Sequence, residues 1–270
     1  MTLPFTFAIA LLPRAYARNW TSVERLLGLT LSSVFAQSDQ DFHVVIAGHD
    51  RPSNLPDDPR VIFLQADWPA EPVRPDNLDR GRKAYAINAH VLERGGGLLM
   101  FLDADDWVDA RLVEVARSTL GPEHSAGVID KGYAVDYQNL RAAPLPHTEV
   151  FDGEFHRVCG SSVLLSVQPD HPDPLRRDPY QILHEHYRVL EIADEAGLKV
   201  ARLPVSGCYL VNTSDSHSEV HGPYAEWRRL FNEAVNRVGK PIDERFLARF
   251  GLANEQLHAD LNQSQSSAAI

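Results

Sequence analysis

Leu98-Leu99-Met100-Phe101-Leu102-Asp103-Ala104-Asp105-Asp106-Trp107 is the stretch on which the reading of this chain turns. Its run of large apolar residues fits a strand buried on both faces, as in a parallel sheet. Three carboxylates then end the run. Carboxylates are almost never fully buried without partners, so they are expected just past the strand, at its C-terminal end. Open α/β sheets bind their ligands at that end. A cluster of carboxylate oxygens there suits a hard divalent cation, Mn²⁺ or Mg²⁺, and such a cation suits a phosphorylated substrate. The competing reading is a solvated loop whose aspartates cap a helix starting near Asp109.

Upstream of this stretch the pattern alternates. Phe5 to Leu12 reads as a buried strand that ends at Pro13-Arg14. Trp20, Val23, Leu26, Leu27, Leu31, Val34 and Phe35 recur at helical spacing, with Asn19 or Thr21 available as a cap. Phe42 to Ala47 and Val61 to Leu64 read as strands, separated by the proline-bearing loop Arg51 to Pro59. A second loop, Ala66 to Asp76, leads into a helix from about Asp79 to Arg94, which Gly95-Gly96-Gly97 ends in left-handed conformations. The order β-α-β-β-α-β predicts an α/β fold with a mainly parallel sheet.

Downstream, Val128 to Tyr137 and Phe155 to Leu165 read as strands, with a proline-bearing loop between them that includes Arg141 to Phe151. Tyr180 to Ala196 reads as one helix, Lys199 to Val205 and Cys208 to Val211 as short strands, and Tyr224 to Val238 as an amphipathic helix opened by Pro223. No repeat or linker is evident. The expected organisation is a single domain over residues 1–258, regular over 1–107 and less regular, with C-terminal helices, over 108–258, then a disordered tail over 259–270.

The net charge is −11, with no basic run, which argues against a nucleic-acid partner. Cys159 and Cys208 are too few for a disulfide framework and read as buried residues in a reducing, cytoplasmic setting. No apolar run approaches the ~20 residues of a transmembrane helix, which leaves only peripheral membrane contact open. Phe5 to Leu12 is too short, and lacks the basic start, for a signal peptide.

With Arg82-Lys83-Ala84-Tyr85-Ala86-Ile87-Asn88-Ala89 on a helix just before Phe101-Leu102-Asp103-Ala104-Asp105-Asp106, the chain resembles the GT-A glycosyltransferases, and among them the inverting family 2. The resemblance implies a GT-A fold, a Rossmann-like nucleotide-binding half (1–107) joined to an irregular acceptor half with C-terminal helices (108–258). It implies a nucleoside-diphosphate sugar (UDP- or GDP-linked) as donor, and a glycan or other hydroxyl compound as acceptor. It places Asp103 at the ribose or a metal-bound water, with Ala104 beside it, and makes Asp105 the chelator of the cation. An extended strand adds a geometric reason, because residues two apart share a face and Asp103 and Asp105 converge. Asp106 is expected to cap the next helix or to touch the acceptor. Asp50, after the second strand, falls where the family reads the nucleotide base; Pro13, Arg14, Lys83 and Asn88 would line the same pocket. His217, with His221 as second choice, matches the late histidine that completes the metal site.

The base departs from the family pattern. Where a Glu-Asp pair is usual, Leu183-His184-Glu185-His186-Tyr187 keeps the glutamate and replaces the aspartate, so Glu185 and His186 are both candidates. The run Phe155 to Ser162 matches the segment facing sugar and acceptor, with Gly160 permitting close approach and Ser161 and Ser162 offering hydroxyls. A sugar nucleotidyltransferase usually has a glycine-rich loop after the first strand, and Leu11 to Tyr16 contains no glycine. An aspartate-based phosphatase has its Asp-x-Asp near the N-terminus. A non-catalytic binder of a nucleotide sugar or glycan is the rival that the replaced aspartate supports.

Overall fold

The computed structural model describes residues 3–72, 74, 77–213, 225–255 and 257. It begins as the sequence predicts, with β1 (Phe5–Ala10), α1 (Trp20–Phe35), β2 (His43–Gly48), β3 (Val61–Gln65), α2 (Leu78–Glu93) and β4 (Gly97–Phe101). Helix α1 starts where Asn19 accepts a hydrogen bond from the Ser22 amide at 3.2 Å, a cap worth about 1 kcal/mol. Helix α2 ends at the triple glycine because only glycine can turn there. Gly96 has φ +78°, and a Cβ on it would lie 2.2 Å from the Val167 carbonyl oxygen.

Then follow β5 (Trp107–Val108), α3 (Leu112–Thr119), β6 (His124–Val128), β7 (Gly132–Asp136), β8 (Arg141–Leu145), β9 (Val163–Val167), β10 (Lys199–Arg202), β11 (Gly207–Val211) and β12 (Lys240–Pro241). The larger sheet has the order β10-β6-β9-β4-β1-β2-β3. Only β9 runs against its neighbours, pairing antiparallel with β4 and β6. Strand β1 lies between β2 and β4, parallel to both. Phe5, Phe7 and Ile9 are fully buried on one face of it, where each such side chain contributes about 1.5–3 kcal/mol. The C-terminal ends of β1, β2 and β4 therefore open along one edge. The largest apolar core runs from Phe5 to Val235, so the two halves of the chain share it.

The second half corrects several expectations. Val128 to Tyr137 is not one strand: the chain leaves the first sheet after β6 and starts β7 in a second sheet of order β12-β8-β7-β11-β5. Gly132 makes that crossing, since a Cβ on it would lie 2.5 Å from the Gly207 carbonyl oxygen. Strand β8 occupies part of the expected proline loop. Pro144 faces Tyr133 of β7, while β12 reaches only Arg141 and Ala142, so this proline sits at an edge where its missing N–H is tolerated. Phe155–Arg157 is a 3₁₀ turn, and the strand expected there begins only at Val163.

The expected helix Tyr180 to Ala196 breaks into α5 (Tyr180–Leu183, after a short α4 at Pro174–Arg177), a 3₁₀ turn over His186–Arg188, and α6 (Val189–Glu195). Glu185 is extended, at φ −94° and ψ 91°, and interrupts the winding. Ala225–Val238 is helical, as expected, while the expected start at Pro223 and Tyr224 lies outside the described residues. Among the described residues no helix is long and apolar enough to cross a membrane.

Candidate active site

A cavity of about 330 Å³ opens at the strand ends, bordered by Leu11, Leu12 and Pro13 after β1, by Asp103, Ala104 and Asp105 after β4, and by the first turns of α2. Strand β4 stops at Phe101. The aspartates thus lie in a turn, closed by the Asp106 amide donating to the Asp103 carbonyl at 3.2 Å. The two-residue alternation of a strand does not extend to them, and Ala104 faces the cavity together with its neighbours.

The turn is clamped from three sides. The buried Thr30 of α1 donates to the Ala104 carbonyl at 3.0 Å. The Asp103 amide donates to Ser161 Oγ at 2.9 Å, and Thr213, after β11, donates to Asp105 at 3.0 Å. Asp106 is wholly buried and accepts from the Leu210 amide at 2.9 Å and from the Ser161 hydroxyl at 2.6 Å. It neither caps a helix nor reaches the cavity; it ties the turn to β11. Burial, with the charges of Asp105 and Asp103 beside it, pushes its carboxyl well above the usual carboxylate range.

Asp106→Ala strands two buried donors, so unfolding stability should fall by about 1–3 kcal/mol. Asp106→Asn should retain more, because its amide can still accept from Leu210 and donate to Ser161. A carboxyl whose pKa is raised by folding binds more protons in the native state. Wild-type stability relative to Asp106→Asn should therefore decline as pH rises from the ordinary carboxylate value through the raised one. Urea midpoints across pH measure this, and equal midpoints for wild type and Asp106→Ala would remove the tie.

The expected acceptor residues divide. Gly160 borders the cavity, and a Cβ on it would stand 3.3 Å from Asp103 Oδ2, 3.5 Å from Arg80 and 3.8 Å from the His186 ring. Ser161 and Ser162 do not border it. Both are buried, the first spent on Asp103 and Asp106 and the second on the Cys159 carbonyl at 2.6 Å. Their hydroxyls build the turn and are not presented to a ligand.

The expected nucleotide residues divide as well. Pro13 and Lys83 border the cavity. Lys83 is 1% exposed, donates to the Leu11 carbonyl at 2.7 Å and pairs with Asp79. Burial lowers its pKa against that pairing. Burial would raise Asp79, but hydrogen bonds from His49, Lys83 and Trp68 outweigh it and keep the carboxyl below its ordinary value. Asp50 accepts from the Arg14 amide at 2.9 Å, which joins the ends of β1 and β2, and neither is among the cavity residues. Asn88 is buried away from the cavity and donates to Asp178 at 3.1 Å.

The break in the expected helix separates the two candidate bases. His186 borders the cavity, and its Nδ1 lies 2.5 Å from the His156 carbonyl. Burial holds it below the ordinary histidine value. Glu185 lies outside the cavity residues, 3.7 Å from Arg188.

Asp103 and Asp105 give the cavity an oxygen donor set that fits a hard divalent cation. Among the described residues no group of three His, Cys, Asp or Glu side chains gathers around a common point. His217 and His221, and the tail 259–270, lie outside the described residues. The sequence reading missed Arg80, which donates to Asp103 at 3.0 Å, and also Thr213, Tyr209 and Arg228. Thr213 lies four residues before His217, the expected late histidine; the other three lay in no motif.

No family model matches the chain, and no curated protein does. Among solved structures, Rv0371c from Mycobacterium tuberculosis H37Rv is similar at 14% identity and TM-score 0.40, over 86% of this chain and 99% of its own. The galactosyltransferase LgtC, solved with donor and acceptor sugar analogs, is similar at 14% identity and TM-score 0.40, over 91% of this chain and 100% of its own. The glycosyltransferase GlyE of Streptococcus pneumoniae TIGR4 is similar at 12% identity and TM-score 0.40, over 99% of this chain and 64% of its own. Likenesses at this level carry no argument about what the chain does.

Proposed function

We propose that this chain is a glycosyltransferase of the GT-A kind, moving a sugar from a nucleoside diphosphate to a hydroxyl acceptor. One juxtaposition carries the reading: Asp103, Asp105, Gly160 and His186 border a single cavity at the C-terminal edge of a mainly parallel sheet. Asp105, with Asp103 beside it, would hold a divalent cation, Mn²⁺ or Mg²⁺. When bound, that cation supplies Lewis-acid stabilisation of the departing diphosphate.

The remaining chemistry belongs to the protein. With Nδ1–H donated to the His156 carbonyl, the neutral imidazole of His186 keeps its lone pair on Nε2. His186 is the general base, and takes the proton of the acceptor hydroxyl as its oxygen attacks the anomeric carbon. Attack opposite the diphosphate inverts that carbon. Thr213 holds the Asp105 carboxylate and Ser161 the Asp103 backbone, so Asp105 needs little rearrangement when the donor arrives.

A thermal-shift screen of UDP and GDP, with and without Mn²⁺, tests the reading. A ligand at a hundredfold excess over its Kd should raise Tm by about 5–10 °C for a chain of this size, and Mn²⁺ should enlarge the shift. If no nucleoside diphosphate raises Tm in either condition, the reading is wrong.

A further inference from the structure

Among the described residues, the arginine and lysine side chains bordering the cavity are Arg74, Arg80, Lys83 and Arg228. Lys83 is paired with Asp79 and Arg80 with Asp103. Arg74 is exposed, so water carries the cost of its charge. Arg228 differs from all three. It is half-buried, and its partners are neutral: it donates to Tyr209 Oη at 2.9 Å, and its guanidinium carbon lies 5.5 Å from the Tyr209 ring centroid and 4.9 Å from that of Trp227. Among the described residues no carboxylate pairs with it.

Cation–π contacts hold a guanidinium in place without neutralising it. A positive charge kept half out of water with no counter-ion is costly, and the cost is recovered when an anion arrives. Tyr209 takes one N–H of the fork, and the others remain able to grip an oxyanion in the bidentate way that arginine favours. The tyrosine ring is buried at the cavity wall and the Trp227 ring backs the guanidinium, so the fork is aimed before any ligand binds.

We propose that Arg228 is the anion receptor of this cavity, binding a phosphate oxygen of the donor's diphosphate. That source of the anion rests on the glycosyltransferase reading; the receptor itself rests on the geometry of Arg228, Tyr209 and Trp227. Asp103 holds Arg80, whereas Arg228 has, among the described residues, no carboxylate to displace.

Calorimetric titration tests this, with inorganic pyrophosphate, UDP and GDP as probes in the presence of Mn²⁺. Arg228→Gln should weaken pyrophosphate and nucleoside-diphosphate binding by about ten- to a hundredfold, the range for a charge-assisted contact. Uridine and guanosine should lose much less. Tyr209→Phe keeps the charge and the ring but frees the fork, and should cost a smaller factor in the same direction. Unchanged thermal midpoints of both variants without ligand would show that folding is intact.

If Arg228→Gln binds pyrophosphate and nucleoside diphosphates as the wild type does, Arg228 is no anion receptor. The same follows if the wild type binds none of these probes. If the wild type binds pyrophosphate in an Arg228-dependent way but no nucleoside diphosphate, the receptor stands and the nucleotide-sugar reading falls.

Discussion

On the glycosyltransferase reading, Asp105→Ala should lower glycosyl transfer by about a hundred- to a thousandfold, the scale on which transition-state charge stabilisation operates. The expectation follows from the chain's own contacts. Asp105 stands at the tip of a turn that Thr30, Ser161 and Asp106 hold rigid, and Thr213 orients its carboxylate at 3.0 Å. The buried ties of the turn, to the Leu210 amide and the Ser161 hydroxyl, belong to Asp106. The variant should therefore fold with a thermal midpoint near the wild type's while losing turnover and the Mn²⁺-dependent part of nucleotide binding. Asp105→Asn sharpens the comparison, since its amide still reaches Thr213 but carries no charge. A large loss in both variants assigns the effect to charge; a loss in Ala alone assigns it to the Thr213 contact. Wild-type turnover of Asp105→Ala with Mn²⁺ would dismiss Asp105 as the cation's ligand.

The sequence revealed most where a single physical rule governs. Strands β1, β2 and β4 were readable because strands buried on both faces must be continuously apolar, and α2 ended where three glycines allowed no other course. The position of Asp103 and Asp105 followed from the cost of burying carboxylates. Reading failed where a contact distant in sequence overrode local preference. Nothing in Leu183-His184-Glu185-His186 marks a helix break, yet the His156 carbonyl captures the His186 ring and the winding stops. Ser161 looked like a ligand contact because a serine beside a glycine carries no sign of which way its hydroxyl turns. Only the fold brings Asp103 and Asp106 to it, across 58 and 55 residues of chain. Arg228 escaped for a similar reason: its interest lies in its neutral neighbours, Tyr209 and Trp227, and only the fold brings Tyr209 to it.

His186→Ala should lower turnover by about a hundred- to ten-thousandfold, the usual worth of a positioned general base, while Glu185→Gln stays close to wild type. The contrast arises because His186 borders the cavity and Glu185 lies outside it. The pH profile carries a second, independent signature. A base works deprotonated, so kcat/KM should rise with pH through the free-enzyme pKa of His186 and then level off. Burial disfavours the imidazolium and holds that pKa below the ordinary histidine value, although the His156 carbonyl and the charge of Asp103 oppose the shift. The acid limb should accordingly lie below the ordinary histidine value, and turnover should already be on its plateau at neutral pH. Arg228, whose positive charge adds to the lowering, gives a handle on the limb: Arg228→Gln should move it toward higher pH. His186→Gln separates base from brace, because its amide can still donate to the His156 carbonyl but cannot accept the acceptor's proton at neutral pH. Loss of both turnover and the acid limb in His186→Gln identifies a base, and full turnover in that variant identifies a brace, in which case the proton leaves by another route.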